Sequence, residues 1–148
     1  MSSEKRTALV TGSSSGIGRA IAETLLEEGW SVVGVARDHT KGPKAHSAYV
    51  PLTFDLADLE HLSGHLKRVL KSHPEISAVV SNAGQSAMGA IEGFSSSQIR
   101  AAIDLNLVSH MLLARAVVPV MKRAGGGDLI FMGSESARQG AKRGAVYC

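Results

Sequence analysis

The stretch Thr11-Gly12-Ser13-Ser14-Ser15-Gly16-Ile17-Gly18 constrains this chain more than any other. Just before it, Thr7-Ala8-Leu9-Val10-Thr11 is an apolar run bounded by charge and glycine, which reads as a short buried strand. Just after it, Ile17, Ile21 and Leu25 recur at four residues, with Ala20 and Thr24 beside them, the period of a helix with one apolar side. Gly29 stops that helix. Gly12 permits a tight turn, Gly16 lets backbone approach a ligand, and Gly18 lets the helix pack closely. The free N–H groups of the helix start then face whatever occupies the turn, and a diphosphate satisfies them. A lone glycine trio is weak evidence, because it can serve a turn and nothing else; here the strand–turn–helix context is present. No Gly-Lys-Ser or Gly-Lys-Thr occurs at the turn, which disfavours a nucleotidase phosphate loop.

Beyond the turn, strands and helices alternate. Val32 to Ala36 is apolar on both faces, as a strand inside a parallel sheet must be. Tyr49 to Phe54, Ile76 to Ser81 and Asp128 to Met132 read as three further strands. A helical stripe runs through Leu59, Leu62, Leu66, Val69 and Leu70, with Pro74 beyond its end. Ser95 and Gln98 have the spacing of a capping box. From there the helical pattern reaches about Arg123 through Ile99, Ile103, Asn106, His110, Leu113 and Val117, with Pro119 expected to bend or end it. The polar segment Asp38 to Ser47 has no helical period and stands where a helix is expected. The predicted fold is α/β: a Rossmann-type three-layer α/β/α arrangement around a mostly parallel, doubly wound sheet of five strands. Residues 1–148 form one domain with no internal repeat or linker.

The end of the second strand carries the charge discriminator. A carboxylate there accepts ribose hydroxyls and repels a 2′-phosphate; this chain has Ala36 and then Arg37. A guanidinium grips a phosphate through two charge-assisted hydrogen bonds. Lys41 and Lys44 stand near enough in sequence to add attraction. The expected cofactor is therefore NADP, with NADPH preferred over NADH, unless Arg37 is merely a surface arginine.

These residues, taken with several further motifs, resemble the amino-terminal part of the short-chain dehydrogenase/reductase family. Thr11, Gly12, Gly16 and Gly18 match that family's cofactor motif, within which Ser14 and Ile17 also fall. Asp55-Leu56 matches the pair beside the adenine ring, and Asn82-Ala83-Gly84 the motif that closes the fourth strand. Asn106 matches the helix asparagine that orders a water in a proton relay. Ser134 matches the catalytic serine, and Tyr147, thirteen residues later, the catalytic tyrosine. The basic residue that some NADP-preferring members place before the second glycine is Ser15 here, so Arg37 carries the cofactor preference nearly alone.

The resemblance implies an oxidoreductase that transfers a hydride between nicotinamide and a carbonyl or alcohol carbon of a small molecule. Tyr147 would move the proton and Ser134 polarise the substrate oxygen. The family's lysine, four residues after the tyrosine, would fall at position 151, beyond Cys148. The sequence is thus expected to be incomplete or shortened, with little or no turnover as it stands. The alternative is a non-catalytic dinucleotide-binding module. A homodimer or homotetramer is expected of the whole protein.

Composition sets the remaining expectations. With 44% hydrophobic and 20% charged residues, the chain is within the globular range. A mild net charge of +3 with scattered basic residues, densest at Arg138, Lys142 and Arg143, argues against a nucleic-acid partner. No run of about 18 uninterrupted apolar residues appears, and no secretory segment opens the chain. The sole cysteine, Cys148, permits no intrachain disulfide. A cytoplasmic protein without a membrane partner is expected. His61 and His65 share a helix face, but no third ligand stands near, so no metal site is expected.

Overall fold

The computed structural model describes residues 6–43 and 46–148. Lys44 lies outside the described residues.

Strand β1 (Thr7–Thr11) is buried along its whole length, as an uninterrupted apolar run at the centre of a sheet must be. It is flanked by β2 (Ser31–Ala36) on one side and β4 (Ile76–Ser81) on the other. Beyond them lie β3 (Tyr49–Thr53) and β5 (Asp128–Phe131), giving the order β3-β2-β1-β4-β5. All four neighbouring pairs are parallel. The chain leaves β1 toward β2 and later returns to β1's other side as β4. That reversal opens a crevice at the carboxyl ends of these strands, where open α/β sheets take their ligands.

Helix α1 (Gly16–Glu27) covers one face, packing Ala22 and Leu26 onto Ala8, Val10, Val32, Ala78 and Val80. Gly29, at φ +80°, ends it in a left-handed turn that a side chain would resist. The other face is covered by α2 (Leu59–Ser72) and α4 (Ser109–Arg123). Leu62, Leu66 and Val69 from α2, with Leu113, Val117 and Met121 from α4, enclose Leu9, Val33, Val35 and Val79 of the sheet. The fold is therefore a three-layer α/β/α sandwich.

The helical run that starts at Ser95 departs from a plain amphipathic helix. Helix α3 (Ser96–Ile103) begins with the expected capping box: Gln98 N donates to Ser95 Oγ at 3.2 Å, and Ser95 N to Gln98 Oε1 at 2.8 Å. Asp104–Val108 then form a π-helical turn, in which Ser109 N bonds Asp104 O, five residues back. The wider turn lets one extra residue into the helix, a feature found disproportionately at functional sites. Pro119 sits inside α4 without ending it, and the helix continues to Arg123.

Among the described residues, no helix forms between β2 and β3. The side chain of Tyr49, the first residue of β3, leans over Gly34 of β2; a Cβ on Gly34 would collide with the Tyr49 hydroxyl.

Candidate cofactor and catalytic site

The crevice at the switch point is built on Thr11, which is itself buried. Its hydroxyl donates to Val80 O at 3.4 Å and accepts from the N–H groups of Asn82 (2.9 Å) and Ala83 (3.0 Å). The Asn82 amide donates to Thr11 O at 3.0 Å. The ends of β1 and β4 are thus fastened together, and Thr11 acts from behind the crevice rather than lining it. Gly12, at φ +69°, begins the turn; Val35 O accepts from both Gly12 N (2.8 Å) and Ser13 N (3.3 Å), which ties the turn to β2. Gly18 lies behind the crevice too. A Cβ there would overlap Gly12 O and the Asn82 amide, so the close packing of α1 under the turn requires glycine.

Gly16 (φ +52°) has no atom within 4 Å of the position a Cβ would take, because it borders open space. Helix α1 starts there without a side-chain cap, although Ser15 occupies the capping position. By contrast, α2 and α3 are capped by Asp58 and Ser95. The free N–H groups of α1's first turn face a cavity of about 470 Å³ bordered by Gly12, Gly16, Ile17, Asn82, Ala83 and Gly84. An anion placed there gains both the orphan hydrogen bonds and the helix dipole.

The same cavity brings together Asn106, Ser134 and Tyr147, with Met132 and Ala137. Asn106 stands in the π-turn and reaches the chain after β4. Its Oδ1 accepts from Gln85 N at 2.9 Å, and its Nδ2 donates to Gln85 O at 2.8 Å. The Ser134 hydroxyl accepts from Ser136 N at 3.2 Å, which holds it at the start of a 3-10 turn (Glu135–Ala137) following β5.

A second, smaller cavity of about 130 Å³ adjoins the first and shares Gly12, Ser15, Ala83, Gly84 and Gln85 with it. It is lined by Ser14, Arg37, Asp55 and Leu56, with Ala36, Phe54 and Leu105. Arg37 is exposed here, directly at the end of β2. The neighbouring carboxylate of Asp38 is engaged elsewhere, accepting from Thr40 N and Thr40 Oγ1, each at 2.8 Å. Those two bonds hold its pKa below the ordinary carboxylate value. The acid next to Arg37 in sequence therefore faces Thr40.

One cavity residue escapes a reading of the sequence. His110 has only the look of another member of the α4 stripe, yet it borders the larger cavity. Its Nε2–H donates to Ala83 O at 2.8 Å, and its Nδ1 accepts from Ser81 Oγ at 2.7 Å. A carbonyl only accepts, so this pairing fixes the proton on Nε2. Signal for such a role exists only in the polar character of residues 106 and 110 on an apolar helix face. The two histidines of α2 are occupied separately. His61 pairs with Asp58 at 2.9 Å, while His65 stacks on Phe54 with ring centroids 4.7 Å apart.

An uncapped helix start beneath a glycine turn, closed by Asn-Ala-Gly at the switch point of a parallel sheet, is the architecture of a Rossmann-type fold. The family model for short chain dehydrogenases matches residues 6–148, and the chain belongs to that family. A short-chain type dehydrogenase/reductase of Sinorhizobium fredii is 35% identical over 143 residues, covering 95% of this chain and 56% of that protein. The crystal structure of a short-chain dehydrogenase from Streptomyces avermitilis superposes with a TM-score of 0.91 at 28% identity, over 99% of this chain and 55% of that one. A metagenomic short-chain oxidoreductase in complex with NADP does so with a TM-score of 0.85 at 30% identity, over 96% and 68%. The chain spans 56–64% of the length of several curated relatives it matches.

Proposed function

We propose that this chain is the cofactor-binding and catalytic part of an NADP(H)-dependent oxidoreductase acting on a carbonyl or alcohol carbon of a small molecule. The observation that carries the reading is the pairing of two joined cavities over one uncapped helix start. The smaller presents a guanidinium, and the larger presents a serine, a tyrosine and an asparagine. When bound, the nicotinamide supplies or accepts the hydride. The N–H groups at the start of α1 hold the diphosphate, and Arg37 holds the 2′-phosphate. Asp55 and Leu56 border the adenine side, while Asn82, Ala83 and Gly84 border the ribose.

In this reading the Ser134 hydroxyl donates to the substrate oxygen, a bond that strengthens as negative charge gathers there. The Tyr147 hydroxyl gives up its proton in reduction and takes it back in oxidation. Asn106 orders the relay that resupplies it. A free phenol with a pKa near 10 is a poor acid–base group at neutral pH and works faster beside a cation. Pairing into a homodimer or homotetramer through α4 is supported by the exposed apolar side chains of Met111 and Val118, and of Leu107 in the π-turn before it.

Calorimetric titration with NADP⁺ and with NAD⁺ tests the cofactor reading. Hydrogen bonds to a charged group are worth about 1.5–3 kcal/mol, so Arg37→Ala is expected to lower NADP⁺ affinity by roughly 10-fold or more and leave NAD⁺ affinity alone. Equal affinities for the two dinucleotides, unchanged by the substitution, would remove Arg37 from the site.

A further inference from the structure

The Tyr49 side chain that leans over Gly34 belongs to a hydrogen-bond chain that passes through the loop carrying Arg37. Ser13, buried in the glycine turn, lies 3.0 Å from the Tyr49 hydroxyl, and that hydroxyl lies 3.0 Å from His39 Nδ1. His39 Nε2 lies 3.0 Å from Leu52 O. The carbonyl can only accept, so Nε2 carries a proton; Nδ1 of the neutral ring then accepts from Tyr49, which accepts from Ser13. Three segments distant in sequence are joined in one direction: the phosphate turn, the loop after β2 and the edge strand β3. Gly34 makes room for it, since any side chain there would strike both the Tyr49 and Ser13 hydroxyls.

The two ends of this chain are not equally dependent on it. At one end, the turn is already fastened to β2 through Gly12 N and Ser13 N, and to β4 through Thr11. At the other, His39 is only two residues beyond Arg37. Among the described residues, the loop's other side-chain bonds are those of Asp38 to Thr40 and of His46 to Ala48 N, all internal to the loop. Backbone bonds fasten the loop's two ends, Phe54 N to Ala36 O and Val32 N to Ala48 O; the His39 ring is the side-chain tie that holds its body against β3.

We propose that Tyr49 and His39 are positioning residues that set cofactor preference, by holding the loop in which Arg37 meets a 2′-phosphate. The proposal rests on the reading of Arg37 given above. With the ring held at both nitrogens, the loop does not have to be ordered at the moment of binding, and the guanidinium is presented at lower entropic cost. NAD⁺ makes no use of the loop, so it gains nothing from the clip. A purely structural role would instead weaken the two dinucleotides alike.

The test titrates NADP⁺ and NAD⁺ into the wild-type chain, Tyr49→Phe, His39→Leu, the double variant and Arg37→Ala, with a melting temperature recorded for each. Tyr49→Phe removes one oxygen and keeps the ring over Gly34. It is expected to reduce the NADP⁺/NAD⁺ affinity ratio about fivefold, the worth of one neutral hydrogen bond. His39→Leu should do the same or more, and the double variant no worse than the larger single effect, because both substitutions cut one chain. Equal losses for both dinucleotides, or an unchanged ratio in variants that melt normally, would overturn the clip if Arg37→Ala still collapses the preference. An unchanged ratio in Arg37→Ala itself would overturn the underlying reading of Arg37, and the clip with it.

Discussion

Replacing Gly18 with alanine isolates the packing on which the whole crevice depends. The added methyl would overlap Gly12 O and the Asn82 amide, and come within 2.8 Å of the Gly12 carbonyl carbon. Two of these atoms are backbone of the phosphate turn, so the clash cannot be relieved by turning a side chain. Overpacking of this kind costs about 1–3 kcal/mol. Displacing the Asn82 amide from Thr11 O adds about 1 kcal/mol. Alanine's better helix propensity returns at most about 1 kcal/mol, and less in a first turn. A net loss of roughly 2 kcal/mol follows, which for a chain of this length lowers the melting temperature by about 6 °C. Binding suffers as well, since the turn and α1 must separate and the N–H groups lose their aim.

Gly16→Ala is the control that separates packing from backbone strain. Its Cβ would meet nothing within 4 Å, but its φ of +52° costs a side chain about 1–2 kcal/mol. It should melt about 3–6 °C below wild type and bind dinucleotide weakly because the methyl enters the cavity. Circular-dichroism melts of both variants, each with and without NADP⁺, provide the assay. If Gly18→Ala melted with the wild type and bound NADP⁺ normally, the contact between α1 and the turn would not be what shapes this site.

Two further predictions concern the helix starts that do carry caps. Ser95→Ala removes the acceptor for Gln98 N and half of a capping box, so it should cost about 1 kcal/mol and lower the melting temperature by about 2–4 °C, without changing dinucleotide affinity. Asp58 has its pKa lowered from 3.8, chiefly by its hydrogen bond to the His61 side chain. A lowered carboxylate pKa means that stability is whole above 3.8 and lost as pH falls through the depressed value. The melting temperature of the wild type should therefore drop more steeply than that of Asp58→Asn as pH is taken below 4; parallel curves would show that the pair contributes nothing.

The sheet, the glycine turn and the two covering layers were legible because each is a local pattern. Apolar runs of strand length, a helical period and turn residues repeat over a few positions and require no knowledge of what lies across the fold. Even the lack of a helix among the described residues after Arg37 could be read from its polar, aperiodic segment. What leans over Gly34 could not. The Tyr49–Ser13 contact spans 36 residues and depends on a glycine at position 34 that looks like an ordinary interruption of a strand. The π-turn was hidden for a related reason. One extra residue shifts the helical phase by less than a third of a turn, so the stripe from Ile99 to Val117 still looks continuous. Of the two effects expected of Pro119, ending the helix does not occur: its missing N–H removes one bond from a helix whose buried face, through Leu113, Val117 and Met121, is sufficient to continue it.

The π-turn has a geometric consequence for the site that the stripe alone does not convey. Asn106 makes a two-point contact with the Gln85 backbone, as a neighbouring strand residue would. The π-turn places Asn106 in the widened stretch of the helix, and Ser109, just after it, donates its hydroxyl to Leu105 O. One turn further on, His110 makes a second crossing to Ala83 O and Ser81. Helix and β4 loop are thus joined at two successive turns on the same side. The rim of the larger cavity that bears Asn106 is thus cross-linked to the chain at and after β4, as the glycine turn is to β2 and β4. A site that must hold a dinucleotide against a reacting carbon needs both rims rigid at once.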